Sequence, residues 1–131
     1  MDVLVDSSVW VPFFRGRKGE EKIARALDYL LSGDEAVIDE IVKTEVMPMM
    51  LAHHEDATLM DAVRTIPLQI DWKAVRDLQV NCLRKGINKV GVCDLILALN
   101  AVQAGVPLFS LDRHFELIKN VLPDLQLWPC R

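Results

Sequence analysis

Asp2-Val3-Leu4-Val5-Asp6-Ser7-Ser8-Val9-Trp10 is the stretch on which the fold turns. A short β-branched run, closed by an acid and two serines, reads as a first strand that passes straight into a helix over Val9 to Phe14. No hairpin turn intervenes, so the next strand must come later and from across a helix.

Outward from that junction the same alternation recurs. The basic, glycine-punctuated Arg15-Gly16-Arg17-Lys18-Gly19 predicts a loop. Glu20 to Leu31 carries Ile23, Ala24, Leu27, Leu30 and Leu31 at helical spacing, and Ser32-Gly33-Asp34 stops it. Ala36 to Ile38 predicts a second strand, and Asp39 then caps a helix to about Ala52 that Pro48 should kink or shorten. Leu59 to Val63 reads as helix and Leu68 to Ile70 as a third short strand. Asp71 is an N-cap for a helix over Lys73 to Arg84, with Val75, Leu78, Val80 and Leu83 as its apolar stripe. Asp94 to Ala104 is apolar almost all round, which predicts a buried helix ended by Gly105 and Pro107. Leu108-Phe109-Ser110 gives another strand, His114 to about Val121 a helix, and Leu125 to Trp128 a last strand. Strands alternating with helices, without repeats or low-complexity linkers, predict an α/β fold: a mostly parallel central sheet flanked by helices in three α/β/α layers.

Composition narrows what such a fold can do. At 131 residues and 51% hydrophobic content, the chain suffices for one core, so residues 1–131 are expected to form a single domain. Cys82, Cys93 and Cys130 are odd in number and lack metal-binding spacing, which predicts reduced thiols and a cytoplasmic protein. No leader pattern opens the chain, and no apolar run approaches the roughly 18 residues of a membrane span, so no membrane association is expected. The net charge of −4 excludes a passive nucleic-acid-coating protein, whose affinity comes from neutralising phosphates with Lys and Arg.

Acids that directly follow strands carry the chemistry. In open α/β sheets ligands collect beyond the carboxyl ends of strands, which is where Asp6 and Asp112 fall. Asp94 lies in the first turn of an apolar helix, a place that capping alone explains. Glu45 lies on a helix face shared with Ile41, Val42 and Val46. Glu40 competes with it, and five residues apart the two cannot both reach one pocket. Taken singly, each acid is explained as a cap, a turn residue or a solvated charge. Clustered, two carboxylates about 4 Å apart repel by roughly 4 kcal/mol at an effective dielectric of 20, a cost that a divalent cation offsets. Oxygen ligands without His or Cys favour Mg²⁺ or Mn²⁺ over zinc.

Val5-Asp6-Ser7-Ser8-Val9-Trp10, Thr44-Glu45-Val46, Cys93-Asp94-Leu95-Ile96-Leu97-Ala98 and Ser110-Leu111-Asp112-Arg113-His114-Phe115 occur in an order and spacing that resemble the PIN domain, and in particular the VapC toxins of toxin-antitoxin pairs. The resemblance spans essentially the whole chain. It implies a metal-dependent ribonuclease in which Asp6, Glu45, Asp94 and Asp112 hold Mg²⁺ or Mn²⁺ for phosphodiester hydrolysis. Ser8 matches a hydroxyl often found beside the first acid, although helix capping explains Ser7 and Ser8 as well. Ser110 stands where Thr is common and keeps the hydroxyl. His114 stands where a further Asp is frequent, which leaves the site one acid poorer. The resemblance also implies a homodimer and an antitoxin of the VapB type whose C-terminal segment covers the acids. The rival reading is a catalytically silent PIN-like module that binds RNA or protein.

Other features weigh less. His53-His54-Glu55 lacks the H-E-x-x-H spacing of a zinc helix, and adjacent histidines point different ways. Asp6-Ser7-Ser8 lacks the second Asp of haloacid-dehalogenase phosphatases, and the acid pair and Lys of phospho-receiver domains are incomplete. Arg15, Arg17 and Lys18, with Arg84, Lys85 and Lys89, are the basic residues best placed to grip an RNA backbone, and solvated loop charge explains them equally. Met47, Met49 and Met50 beside Pro48 suit either core packing or an adaptable groove for a partner peptide.

Overall fold

The computed structural model describes residues 1–16 and 18–129. Arg17 and Cys130 lie outside the described residues. The chain runs β1 (Val3–Val5), α1 (Ser7–Arg15), α2 (Glu21–Ser32), β2 (Ala36–Ile38), α3 (Glu40–Ala52), α4 (Thr58–Ala62), β3 (Arg64–Thr65), α5 (Trp72–Arg84), α6 (Val92–Ala104), β4 (Leu108–Phe109) and α7 (His114–Val121).

The four strands form one parallel sheet in the order β3-β2-β1-β4. Val3 and Leu4 pair with Ala36 and Val37, while Leu4 and Val5 pair with Leu108 and Phe109 on the other side. β1 and β2 are therefore buried on both faces, which explains their uninterrupted Val, Leu, Ala and Ile. From β1 the chain steps outward to β2 and β3, then crosses back to β4. With right-handed crossovers this places the first helices on one face and the later ones on the other. The packing agrees: α1 lies against α2 and α3, and α5, α6 and α7 lie against one another. The result is the α/β/α arrangement expected from the alternation.

The third strand is not where the hydrophobic pattern predicts it. Leu68 to Ile70 is irregular, and β3 is the exposed pair Arg64–Thr65. Arg64 holds the start of that strand, donating from Nη1 and Nη2 to both oxygens of Asp2 at 3.1 and 2.6 Å and to the Asp34 carbonyl at 2.6 Å. The ladder continues through Ile66 N–H to the Ile38 carbonyl at 2.8 Å and then meets Pro67, which has no N–H to offer.

Smaller departures follow the same logic. Leu125 to Trp128 makes no full strand, but Leu127 bridges Leu108 in parallel along the free edge of β4. On α5 the buried stripe is Val75, Leu78 and Cys82, whereas Val80 and Leu83 are 41% and 56% exposed. Pro48 does not shorten α3, which runs through to Ala52. The N-cap of α1 is Asp6 itself, not a serine. Among the described residues no helix is long and apolar enough to cross a membrane.

Candidate active site

β1 is the point where the sheet order reverses, with connections leaving toward opposite faces, and the crevice between the carboxyl ends of β1 and β4 is the natural ligand position of such a sheet. Asp6 follows β1 directly and is 5% exposed. Its Oδ2 accepts the hydroxyls of Ser8 at 2.7 Å and Ser110 at 2.8 Å, while Oδ1 has only the Ser7 hydroxyl at 3.5 Å. The serine oxygens in turn accept backbone N–H groups, Leu111 onto Ser8 at 2.9 Å and Asp112 onto Ser110 at 3.0 Å. These bonds tie the ends of β1 and β4 together around one carboxylate.

Asp112 comes from the turn after β4, where its Oδ1 accepts the His114 backbone N–H at 2.9 Å. Asp94 is in the first turn of α6, behind the Gly91 cap. Burial, then the charges of Asp112 and Asp6, raise its carboxyl above the ordinary range, and His114 works the other way. Glu45 lies on α3. Burial, followed by the charges of Asp6, Asp94 and Asp39, pushes it up to about 7, opposed by the nearby Ser7 hydroxyl. The Glu45 residue as a whole is nevertheless exposed, so solvent reaches this side of the crevice. Of the two competing acids, Glu40 and Glu45, it is Glu45 that feels the charges of Asp6 and Asp94 and so lies on their side of the sheet.

A fifth acid lies beneath. Asp39 caps α3 through Val42 N–H at 3.0 Å and accepts Asn100 Nδ2 of α6 at 2.9 Å, with both residues buried. Burial raises its carboxyl, and these hydrogen bonds partly reverse the rise. From sequence Asp39 has only a capping role and Asn100 has none, although an Asn inside a helix that is otherwise apolar is the available signal.

The donor set suits a hard divalent cation, since carboxylates held together at raised pKa values are short of positive charge. Asp94, Asp112 and His114 each offer an atom within 4.8 Å of the others, close enough to share one ion. Beside them a cleft of about 470 Å³ opens between Leu111, Asp112, Arg113, Phe115 and Trp128. The basic residues are more scattered. Arg15 is exposed and paired with Glu55 at 3.7 Å, Lys18 is exposed in the loop after α1, and Lys85 and Lys89 are exposed between α5 and α6.

The sequence profile of the PIN domain matches residues 3–121. The chain belongs to the PIN domain family. Solved structures agree on the fold of this PIN domain. It is similar to VapBC2 of Rickettsia felis bound to a DNA fragment from their promoter, at 17% identity and a TM-score of 0.73 over 97% of each chain. It is similar to a toxin-antitoxin complex from Klebsiella pneumoniae, at 19% identity and a TM-score of 0.64 over 95% of each chain. It is similar also to FitAcB of Neisseria gonorrhoeae, at 17% identity and a TM-score of 0.62 over 89% of this chain and 93% of that one. Among curated proteins no match is found.

Proposed function

We propose that this PIN domain, as one domain of residues 1–131, is a Mg²⁺- or Mn²⁺-dependent endoribonuclease and the toxin half of a toxin-antitoxin pair in the cytoplasm. One observation carries the reading. Asp6, Glu45, Asp94 and Asp112, drawn from four separate segments, lie toward the ligand-binding end of a parallel sheet, with Glu45 and Asp94 raised by burial and by their neighbours' charge. Carboxylates grouped in this way are short of positive charge, which a bound cation would supply.

In this reading the four acids would hold the cation, and the Ser8 and Ser110 hydroxyls fix the Asp6 carboxylate through Oδ2 and leave Oδ1 available as a donor. A bound divalent cation would polarise the scissile phosphate, activate water for in-line attack and stabilise the leaving oxygen. Burial and the neighbouring carboxylates let Glu45 keep its proton to higher pH than a free glutamate in the metal-free protein, and filling of the site would displace it. The described residues offer no evident separate general base. Arg15, Lys18, Lys85 and Lys89, together with Arg17, are the proposed contacts to the RNA backbone, and their positive charge would offset the acidic balance locally. An antitoxin of the VapB type and a homodimer are proposed from the family; one of the similar folds is itself a toxin-antitoxin complex.

The test is cleavage of total cellular RNA by purified protein with Mg²⁺ or Mn²⁺, with chelator, and with Asp6→Asn. Metal-dependent cutting that the substitution abolishes supports the nuclease. Measured metal binding without any cutting would shift the reading to a silent RNA- or protein-binding module.

A further inference from the structure

Resting on the reading of the acids as a cation site, the geometry points to His114 as a direct ligand that gives this site a preference for Mn²⁺ and other first-row transition metals over Mg²⁺. His114 is the first residue of α7, and the turn before it is closed by its own backbone N–H on Asp112 Oδ1. That closure brings the ring back over the same carboxylate, with Nδ1 at 3.2 Å from Oδ1. Asp94 approaches from α6, so that two carboxylate oxygens and one imidazole nitrogen lie within 4.8 Å of one another. The ring is 38% exposed, which leaves it free to turn onto an ion entering from solvent.

The consequence is chemical. Mg²⁺ prefers oxygen ligands and keeps its waters, so an imidazole gains it little. Imidazole binds Mn²⁺, and still more Co²⁺ and Ni²⁺, with affinity rising along that series. A position shared by Asp94, Asp112 and His114 is therefore a mixed nitrogen-oxygen site beside the all-carboxylate environment of Asp6 and Glu45. His114 does not simply leave the site one acid poorer; it exchanges a hard ligand for a borderline one.

The test uses the intact protein and reads metal binding, not cleavage. Mn²⁺ and Mg²⁺ affinities are measured by calorimetric titration, and bound Mn²⁺ is probed by pulsed electron paramagnetic resonance for a directly bonded nitrogen. The wild type should show the nitrogen coupling. His114→Ala should lose it and bind Mn²⁺ about tenfold or more weakly, the scale of loss seen when a supporting group leaves a metal site. Its Mg²⁺ affinity should stay within about threefold. His114→Asp should remove the coupling while raising Mg²⁺ affinity relative to Mn²⁺. Bound Mn²⁺ without nitrogen coupling, or equal losses for both cations in His114→Ala, would overturn the ligand role and leave the acid site standing. Failure of the wild type to bind either cation would overturn both.

Discussion

The two oxygens of Asp6 keep different company, and the difference is open to experiment. Oδ2 is saturated by two serine hydroxyls, whereas Oδ1 has one long hydrogen bond. Ser110→Ala removes one of the bonds that aim the carboxylate, so metal affinity and RNA cleavage should both fall by roughly tenfold. Titration of Mn²⁺ beside a cleavage assay checks this, and a drop in cleavage with unchanged metal affinity would count against a positioning role. Glu45 sets the pH behaviour. The folded protein holds its proton up to about 7, while the unfolded chain releases it near the ordinary 4.5, so the metal-free fold loses stability as pH rises through that window. Asp39 and Asp94, also raised, act in the same direction from their ordinary 3.8 upward. Thermal melts in chelator should give a Tm that falls from pH 5 to pH 7.5. Glu45→Gln should flatten the slope, and Mn²⁺ should restore the stability at the higher pH. A metal-free Tm that climbs over this range would show that the carboxylates do not crowd one another.

Among the elements, α6 is the most legible and still conceals something. Its apolar pattern correctly gives a buried helix, and Asp94 at its first turn can be read directly. Asn100 cannot, because its meaning depends on Asp39, 61 residues away at the head of a different helix. Replacing Asn100 with Leu keeps the bulk but deprives a fully buried carboxylate of a donor, which should cost about 1–3 kcal/mol in urea unfolding at pH 7. The cost should shrink as the pH is lowered, because burial already favours the protonated form of Asp39. β3 is illegible for the opposite reason. Two exposed residues held by a guanidinium carry no hydrophobic period, while the apolar stretch just after Pro67 imitates one. The caps read more easily, since Asp39 and Asp71 each bond a backbone N–H three residues on.

For the whole molecule, the order of strands does what local sequence cannot: it brings residues 6, 45, 94 and 112 to one crevice. The α/β class and the positions of Asp6 and Asp112 can be read from sequence because strand-acid junctions are local, whereas Glu45 and Asp94 on their helices rest on the family resemblance, and the crossing back from β3 to β4 is a global feature. Charge also acts at this scale. With a net −4, the proposed nuclease would grip RNA through few phosphates, and each single-strand phosphate that is no longer neutralised should lower the slope of log affinity against log salt by about 0.7. Filter binding with Asp6→Asn, compared with the same variant carrying Lys85→Ala and Lys89→Ala, should show a shallower slope for the latter. Identical slopes would assign those lysines to solvent.

The sheet is short at one margin and met by another segment at the other. β3 is a two-residue strand whose Arg64 is occupied by Asp2 and Asp34, and the outer side of β4 is met by Leu127. Pairing between separate molecules needs a row of free peptide groups, and neither margin presents one. At high concentration the protein should therefore resist seeding fibrils from its folded state, and whatever comes to sit against it must do so on its helices and loops.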